Sequence, residues 1–329
     1  MREQERTTTL PGVLATISAG FDLTARHLWL LLIPVILDIF YWLGPRLRFQ
    51  TLIEQLLELL AEQAEVLELA GQLANAAPQT NLFTALSVQL IGVPALMIGL
   101  APEITPLSTQ FFEIDNWSTW LGVFVIFSLV GLGLTAVYYT LIAAAISKQS
   151  PEAMQLNSVQ WGKRALSSWM RLLGLALIFL LIVMILYIPL IMVGTILFLI
   201  NNTLGSIALL IGPFLIIWVI IALSMAPYGI VLNGRPVLRS VVESVRLVLA
   251  NFPSLIYLLF TLVIIGTILD WLLFAVENGT WLTVVNILGH AFVSTALVAA
   301  VFIFYRDRYA AMFEPDSVYD IQPIHTNDN

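Results

Sequence analysis

Three titratable side chains stand inside long apolar runs of this chain: Asp38 in Leu28 to Leu43, Asp270 in Phe252 to Val276, and His290 in Trp281 to Phe304. Asn286 lies one helical turn before His290, on the same face. An ionisable group in hydrocarbon costs at least about 3 kcal/mol, so each of these residues must be neutralised, paired or wetted. A carboxyl and an imidazole at that depth can hold or relay a proton, which makes Asp38, Asp270, Asn286 and His290 a candidate intramembrane polar site. The alternative is structural. Asp38 or Asp270 would pair with Arg46 or Arg48 at the outer rim, and His290 would hydrogen-bond a neighbouring helix as polar glue. The structural alternative is preferred, because an ion pathway usually gathers more than one ionisable group at mid-membrane.

Other chemistry is thinly supplied. The chain has no cysteine, which removes disulfides, thiolate catalysis and Cys-based metal sites. His27, His290 and His325 are expected at an inner interface, at mid-membrane and in a polar tail, too scattered to converge on one metal. Neither a Gly-rich phosphate loop nor a His-Glu-x-x-His pair is present. No cofactor and no enzymatic activity are expected.

The elements that must position the polar residues follow from composition. At 59% hydrophobic and 11% charged over 329 residues, the chain lies outside the usage of soluble domains. Five runs are long enough to cross a bilayer: Trp120 to Ile146, Leu172 to Ile200, Ile207 to Leu232, Phe252 to Val276 and Trp281 to Phe304. A shorter first span, Leu28 to Leu43, contains Pro34. The expected fold is an all-α polytopic bundle of about six spans with amphipathic interfacial helices, forming one membrane domain over residues 1–313.

Charge sets the direction. With the N-terminus inside, twelve of the fourteen Lys and Arg residues fall on the cytoplasmic side and only Arg46 and Arg48 fall outside. Both termini are therefore expected in the cytoplasm and the protein in the cell membrane. Residues 49–118 form an acidic extracytoplasmic insertion on this reading. Within it, Leu52, Leu56, Leu59, Val66 and Leu73 recur at helical spacing opposite Glu54, Glu58, Glu62 and Glu65, an acidic amphipathic helix. Ala85 to Leu100, broken by Gly92 and Pro94, is expected as a half-membrane or capping helix.

Three related units are discernible. Ser158, Val159, Arg164, Ala165 and Leu166 align with Ser240, Val241, Arg246, Leu247 and Val248. Ile17, Phe21, Leu23, His27 and Leu28 can be laid on Val241, Val245, Leu247, Asn251 and Phe252. With a gap of about two helical turns, Ile36-Leu37-Asp38 echoes Ile268-Leu269-Asp270. These matches imply an inner amphipathic helix followed by two spans, used three times. Mitochondrial carriers share that plan, but no proline here begins their Pro-x-Asp/Glu-x-x-Lys/Arg signature. The amphipathic entry Ser240 to Leu259 and the terminal Tyr305-Arg306-Asp307-Arg308 stop resemble the membrane domain attached to some glycerophosphodiester phosphodiesterases and related prokaryotic families. The resemblance covers Asn157 to Tyr309 and implies no catalytic residue, since the His-Arg and Glu-Asn elements of the phosphodiesterase are absent.

Trp161, Lys163, Arg164, Trp169 and Arg171, with Arg239 and Arg246 in the later unit, suit helices lying at headgroup level over anionic lipid. Membrane lipids are thus the expected partners. A protein partner could dock on the acidic outer helix or the inner amphipathic helices; a nucleic acid is not expected. Three sequons, starting at Asn116, Asn201 and Asn278, read as polar turn residues at span ends. Residues 314–329 are polar and expected to be disordered. The functional expectation is a non-enzymatic scaffold that engages lipid or partner subunits, with a transporter or permease built on Asp38, Asp270 and His290 as the rival. Gly194, Gly212, Pro189 and Pro213 interrupt the third and fourth spans and keep the rival in play, since alternating access uses broken helices.

Overall fold

A computed structural model describes residues 10–60, 80–87, 92–98, 105–147, 158–274 and 280–314. The fold is all-α, with one short strand pair among the described residues. In chain order the elements are α1 (Val13–Arg26), a 3-10 turn (Leu28–Leu31), α2 (Leu32–Leu43), β1 (Arg46–Arg48), α3 (Gln50–Leu60), two further 3-10 turns (Leu82–Leu86 and Leu96–Ile98), and β2 (Phe111–Glu113). There follow α4 (Trp117–Ser147), α5 (Ser158–Ile200), α6 (Asn202–Leu223), α7 (Ala226–Asn233), α8 (Val237–Ala250), α9 (Phe252–Phe274) and α10 (Thr283–Phe313). Helices α4, α5, α6 with α7, α9 and α10 are each long and apolar enough to cross a membrane, and α1 with α2 makes a sixth candidate bent by 92°. This is a multi-pass membrane protein. Its residues divide into two compact units: Met1–Gly20, Ile146–Thr261 and Ala299–Asn329 form the first, Phe21–Ala145 and Leu262–Val298 the second.

In the first unit, α5 and α6 form a hairpin whose turn is set by Asn201. Its side-chain oxygen accepts from the Thr203 and Leu204 amides, capping α6. The expected interruptions do not occur. Both helices run unbroken through Pro189 and Pro213, the single lost hydrogen bond being tolerable inside a membrane helix. The glycines are contact points instead. A Cβ at Gly205 would lie 2.5 Å from the Phe198 Cα, one at Gly212 would lie 2.3 Å from the Tyr187 ring, and one at Gly194 would meet Leu209 at 2.6 Å. Gly205, Ala208 and Gly212 make a buried small-residue face on α6 that lets the two helices approach.

The span that contains Ile207 to Leu232 is divided into α6 and α7 by two turn residues, Ser224 and Met225. The backbone groups freed there are taken up by hydroxyls: Ser224 Oγ donates to Ile221 O, Ser244 Oγ to Ala222 O, and the Met225 amide donates to Ser244 Oγ. Helix α7 stops at Gly234, whose φ of 60° is the left-handed conformation that glycine adopts without Cβ strain.

The proposed repeat has a local structural counterpart. Helices α1 and α8 are each 14 residues long, and the alignment places Val13 on Val237 and Arg26 on Ala250. Each ends at a polar residue that turns back onto its own helix. His27 Nδ1 donates to Leu23 O at 3.0 Å, and Asn251 Nδ2 donates to Leu247 O at 3.1 Å. The second unit of the repeat departs from this pattern, since its amphipathic segment continues into the span as the single 43-residue helix α5. The Asp38 and Asp270 echo also diverges: Asp38 is buried and Asp270 exposed.

Within the second unit, β1 and β2 pair in parallel, Arg46 opposite Phe111 and Arg48 opposite Glu113. The Glu113 carboxylate accepts from the Thr51 amide and hydroxyl, capping α3. Leu52, Leu82 and Ile114 form a small core with Trp120 and Phe127 against it. The buried face of α3 is Leu52 with Ile53, while Leu56, expected on the same stripe, is 36% exposed. The acidic helix beyond residue 60 lies outside the described residues, as do Lys148, Asn278 and residues 315–329. Ala85 to Leu100 is not one helix: its described parts include the end of the 3-10 turn Leu82–Leu86, the irregular Val93–Ala95 and the turn Leu96–Ile98. Pro94 removes an amide and disfavours helix in the residue before it.

Candidate intramembrane polar site

Asp38 projects from α2 with no exposed side-chain surface. The sequence places it one residue after Leu37 and three before Tyr41, so on the helix it shares the buried stripe of Pro34, Leu37, Tyr41 and Trp42. Its Oδ1 accepts from the Met97 amide at 2.9 Å, which fastens the 3-10 turn Leu96–Ile98 to α2. One turn on, the Tyr41 hydroxyl and Ser87 Oγ are 3.0 Å apart, fastening the end of the preceding turn. Gly131 of α4 closes the cradle, because a Cβ there would fall 2.4 Å from the Leu86 carbonyl oxygen. The polar residues of α2 therefore hold the two 3-10 turns, Leu82–Leu86 through Ser87 and Leu96–Ile98 through Met97, against that helix.

The second carboxylate oxygen faces α10. Asp38 Oδ2 and His290 Nδ1 are 4.0 Å apart, and neither atom has a hydrogen-bond partner among the described residues. His290 is nearly enclosed, its side chain 12% exposed. One proton on the carboxyl, or an imidazolium beside a carboxylate, leaves this pair without net charge, the condition that a low-dielectric site imposes. Asn286, a turn earlier and buried, donates from Nδ2 to the Leu273 carbonyl oxygen at 3.3 Å, tying α10 to α9. Asp270 is within electrostatic reach of His290 but is itself exposed on α9.

So the structure brings Asp38 to His290 and leaves Asp270 at the margin. The expected pairing of Asp38 or Asp270 with Arg46 or Arg48 is not formed. Asp38 is engaged with Met97, and both guanidinium groups lie over the Phe111 ring, Arg48 at 3.8 Å and Arg46 at 5.9 Å. Sequence reasoning missed Tyr41, Ser87 and the Met97 amide. Tyr41 carries a local signal in its i, i+3 spacing from Asp38; the other two are long-range partners with none.

The residues expected at headgroup level, in the first unit, behave differently from one another. Arg164 donates to Val231 O and Leu232 O at 3.2 and 3.1 Å and Arg171 donates to Gly234 O, so both close the carbonyl end of α7. Arg239 Nε donates to Glu243 at 2.7 Å. Lys163 and Arg246 are exposed, and Trp161 and Trp169 are half-buried on α5. Sequence reasoning did not single out Arg235, Glu243 or Tyr309 and took Tyr305 only as part of the terminal stop; the four meet between α8 and the C-terminal part of α10. The Arg239–Glu243 and Tyr305–Tyr309 spacings of four were the available signal.

Comparison with family descriptions, with curated proteins and with solved structures finds no match to this chain.

Proposed function

We propose that this chain is a non-enzymatic membrane scaffold that engages lipid and partner subunits, lying in the cell membrane with both termini in the cytoplasm. One observation carries the reading: the buried polar side chains of the intramembrane site are engaged in fastening one segment of the fold to another. Asp38 holds Met97, Tyr41 holds Ser87, Asn286 holds Leu273, and Tyr138 on α4 donates to Thr295 on α10 at 3.0 Å. Such groups rigidify a bundle. The amphipathic α8 and the acidic start of α3, with Glu54 and Glu58 exposed, are the surfaces offered to headgroups and to a basic partner.

A second reading, a transporter or permease, is favoured by the unpartnered Asp38 Oδ2 and His290 Nδ1, a pair able to load a proton. Thiol accessibility separates the two. The chain has no native cysteine, so His290→Cys in intact membranes gives a clean background for a small membrane-impermeant reagent. Protection, in a variant shown to insert and fold, is the expected result for a packed scaffold. Labelling would mean a water-filled path at this depth and would replace the scaffold with the transporter.

A further inference from the structure

At the end of α7, where two candidate spans reach their polar ends, six side chains of the first unit gather: Arg235, Arg239, Ser240, Glu243, Tyr305 and Tyr309. Arg235 follows the left-handed Gly234 and precedes Pro236, so the chain direction is fixed on both sides of it. Its guanidinium donates to the Tyr309 hydroxyl at 2.6 Å, the contact that most raises its pKa and keeps it charged. Ser240 and Glu243 stand one turn apart on the buried face of α8. Gly229 makes room beside them, since a Cβ there would lie 2.8 Å from the Tyr305 hydroxyl and 3.4 Å from Ser240 Oγ.

The cluster is built but incompletely satisfied. Among the described residues, Ser240 Oγ, Glu243 Oε2 and Arg235 Nε are buried without hydrogen-bond partners, the last two facing each other across 3.9 Å. Ser240 is 1% and Glu243 6% exposed, so bulk water does not supply what is missing, and leaving such atoms unmet is costly. A ligand that completes them must offer acceptors to Arg235 and Ser240 and a donor to Glu243, and it would find the half-exposed Arg239 guanidinium beside them. The charges restrict it further. Two arginines stand against Glu243, with Glu314 3.6 Å from Arg235, so a purely anionic headgroup would meet two carboxylates. A group carrying both signs would not.

We infer that this cluster is a binding site for a phosphoethanolamine group, the phosphate on Arg235 and Arg239 and the primary ammonium on Glu243 beside the Tyr305 hydroxyl. The bilayer supplies that chemistry as phosphatidylethanolamine. The inference deepens the scaffold reading, on which it rests for the membrane setting, by naming the lipid class engaged.

The test uses the full-length protein, delipidated in detergent and placed in nanodiscs of phosphatidylcholine alone, or with phosphatidylethanolamine or phosphatidylglycerol added. Native mass spectrometry of retained lipid and the thermal midpoint are the readouts. The wild type should retain phosphatidylethanolamine about tenfold over either other lipid, the preference that one charge-assisted hydrogen bond confers. Glu243→Gln should abolish that preference, and the rise in midpoint that phosphatidylethanolamine gives the wild type over phosphatidylcholine should be absent in it. Ser240→Ala, a smaller change, should weaken it even if the first variant folds poorly. Displacement of the lipid by soluble O-phosphoethanolamine would identify the headgroup alone as sufficient; retention against it would identify the intact lipid as the source, and either supports the site. Equal retention of all three lipids, a preference for phosphatidylglycerol, or variants that keep the wild-type preference would overturn it. Its failure leaves the scaffold standing if His290→Cys is protected, whereas labelling of His290→Cys with the lipid preference intact would remove the scaffold and leave the site.

Discussion

Asp38 is the residue on which most of the second unit's polar architecture turns. Its carboxylate serves two partners of different kinds, a backbone amide at hydrogen-bond distance and an imidazole somewhat beyond it. These roles separate by substitution. Asp38→Asn keeps an oxygen for the Met97 amide, so it should cost little stability. Asp38→Ala leaves that amide buried and unmet, at about 1 to 3 kcal/mol. Thermal unfolding in detergent, followed by helix content, should therefore rank wild type and Asp38→Asn close together and Asp38→Ala well below. An equal loss in both variants would mean that the carboxylate's contact with the imidazole, not the amide, holds the segment. The importance of Asp38 was legible in the sequence because a carboxyl in an apolar run is rare. Its partners were not legible, because Met97 and Ser87 lie far along the chain, one presenting a backbone group and the other a common hydroxyl.

The elements were legible in proportion to their length. An apolar run past the bilayer's thickness fixes a span, so α4, α5, α9 and α10 stand where hydropathy places them. The break at His27 was not read from the sequence, although its alignment with Asn251 carried the signal, since a polar side chain at the end of an amphipathic stretch can return to the carbonyl four residues back. Glycine and proline misled, because their local preference for breaking helices yields to packing when a neighbour approaches closely. The α5–α6 hairpin tests this point. Gly205→Leu must displace the Phe198 backbone and Gly212→Leu the Tyr187 ring, so each should destabilise by about 1 to 3 kcal/mol. Gly122→Ala on α4 meets nothing within 4 Å and should be neutral or slightly stabilising. Asn201→Ala, which removes the cap of α6, should cost about 1 kcal/mol. Thermal scans of the four variants under one detergent condition give the ranking; equal effects at Gly205 and Gly122 would mean that the glycines are not contact points.

For the molecule as a whole, the distribution of charge makes a claim that the fold alone does not. Most arginines and lysines gather near one set of span ends, where two of them also close the carbonyl end of α7, and Glu54 and Glu58 of α3 lie exposed after the first candidate span. If the N-terminus is inside, one crossing puts Glu54 outside, and three further crossings by α4, α5 and α6 with α7 put Arg246 inside. Single cysteines at these two exposed positions, in a chain that has none of its own, report this directly. Glu54→Cys should react with an impermeant maleimide in intact cells, and Arg246→Cys only after the membrane is permeabilised. Reversal of the two would invert the protein and place its arginine-rich ends against the outer leaflet, contrary to the positive-inside bias. Reaction of both from one side would remove a crossing, and the bent α1–α2 pair, whose 92° turn suits either an interfacial helix leading into a span or a re-entrant loop, is where that crossing would be lost.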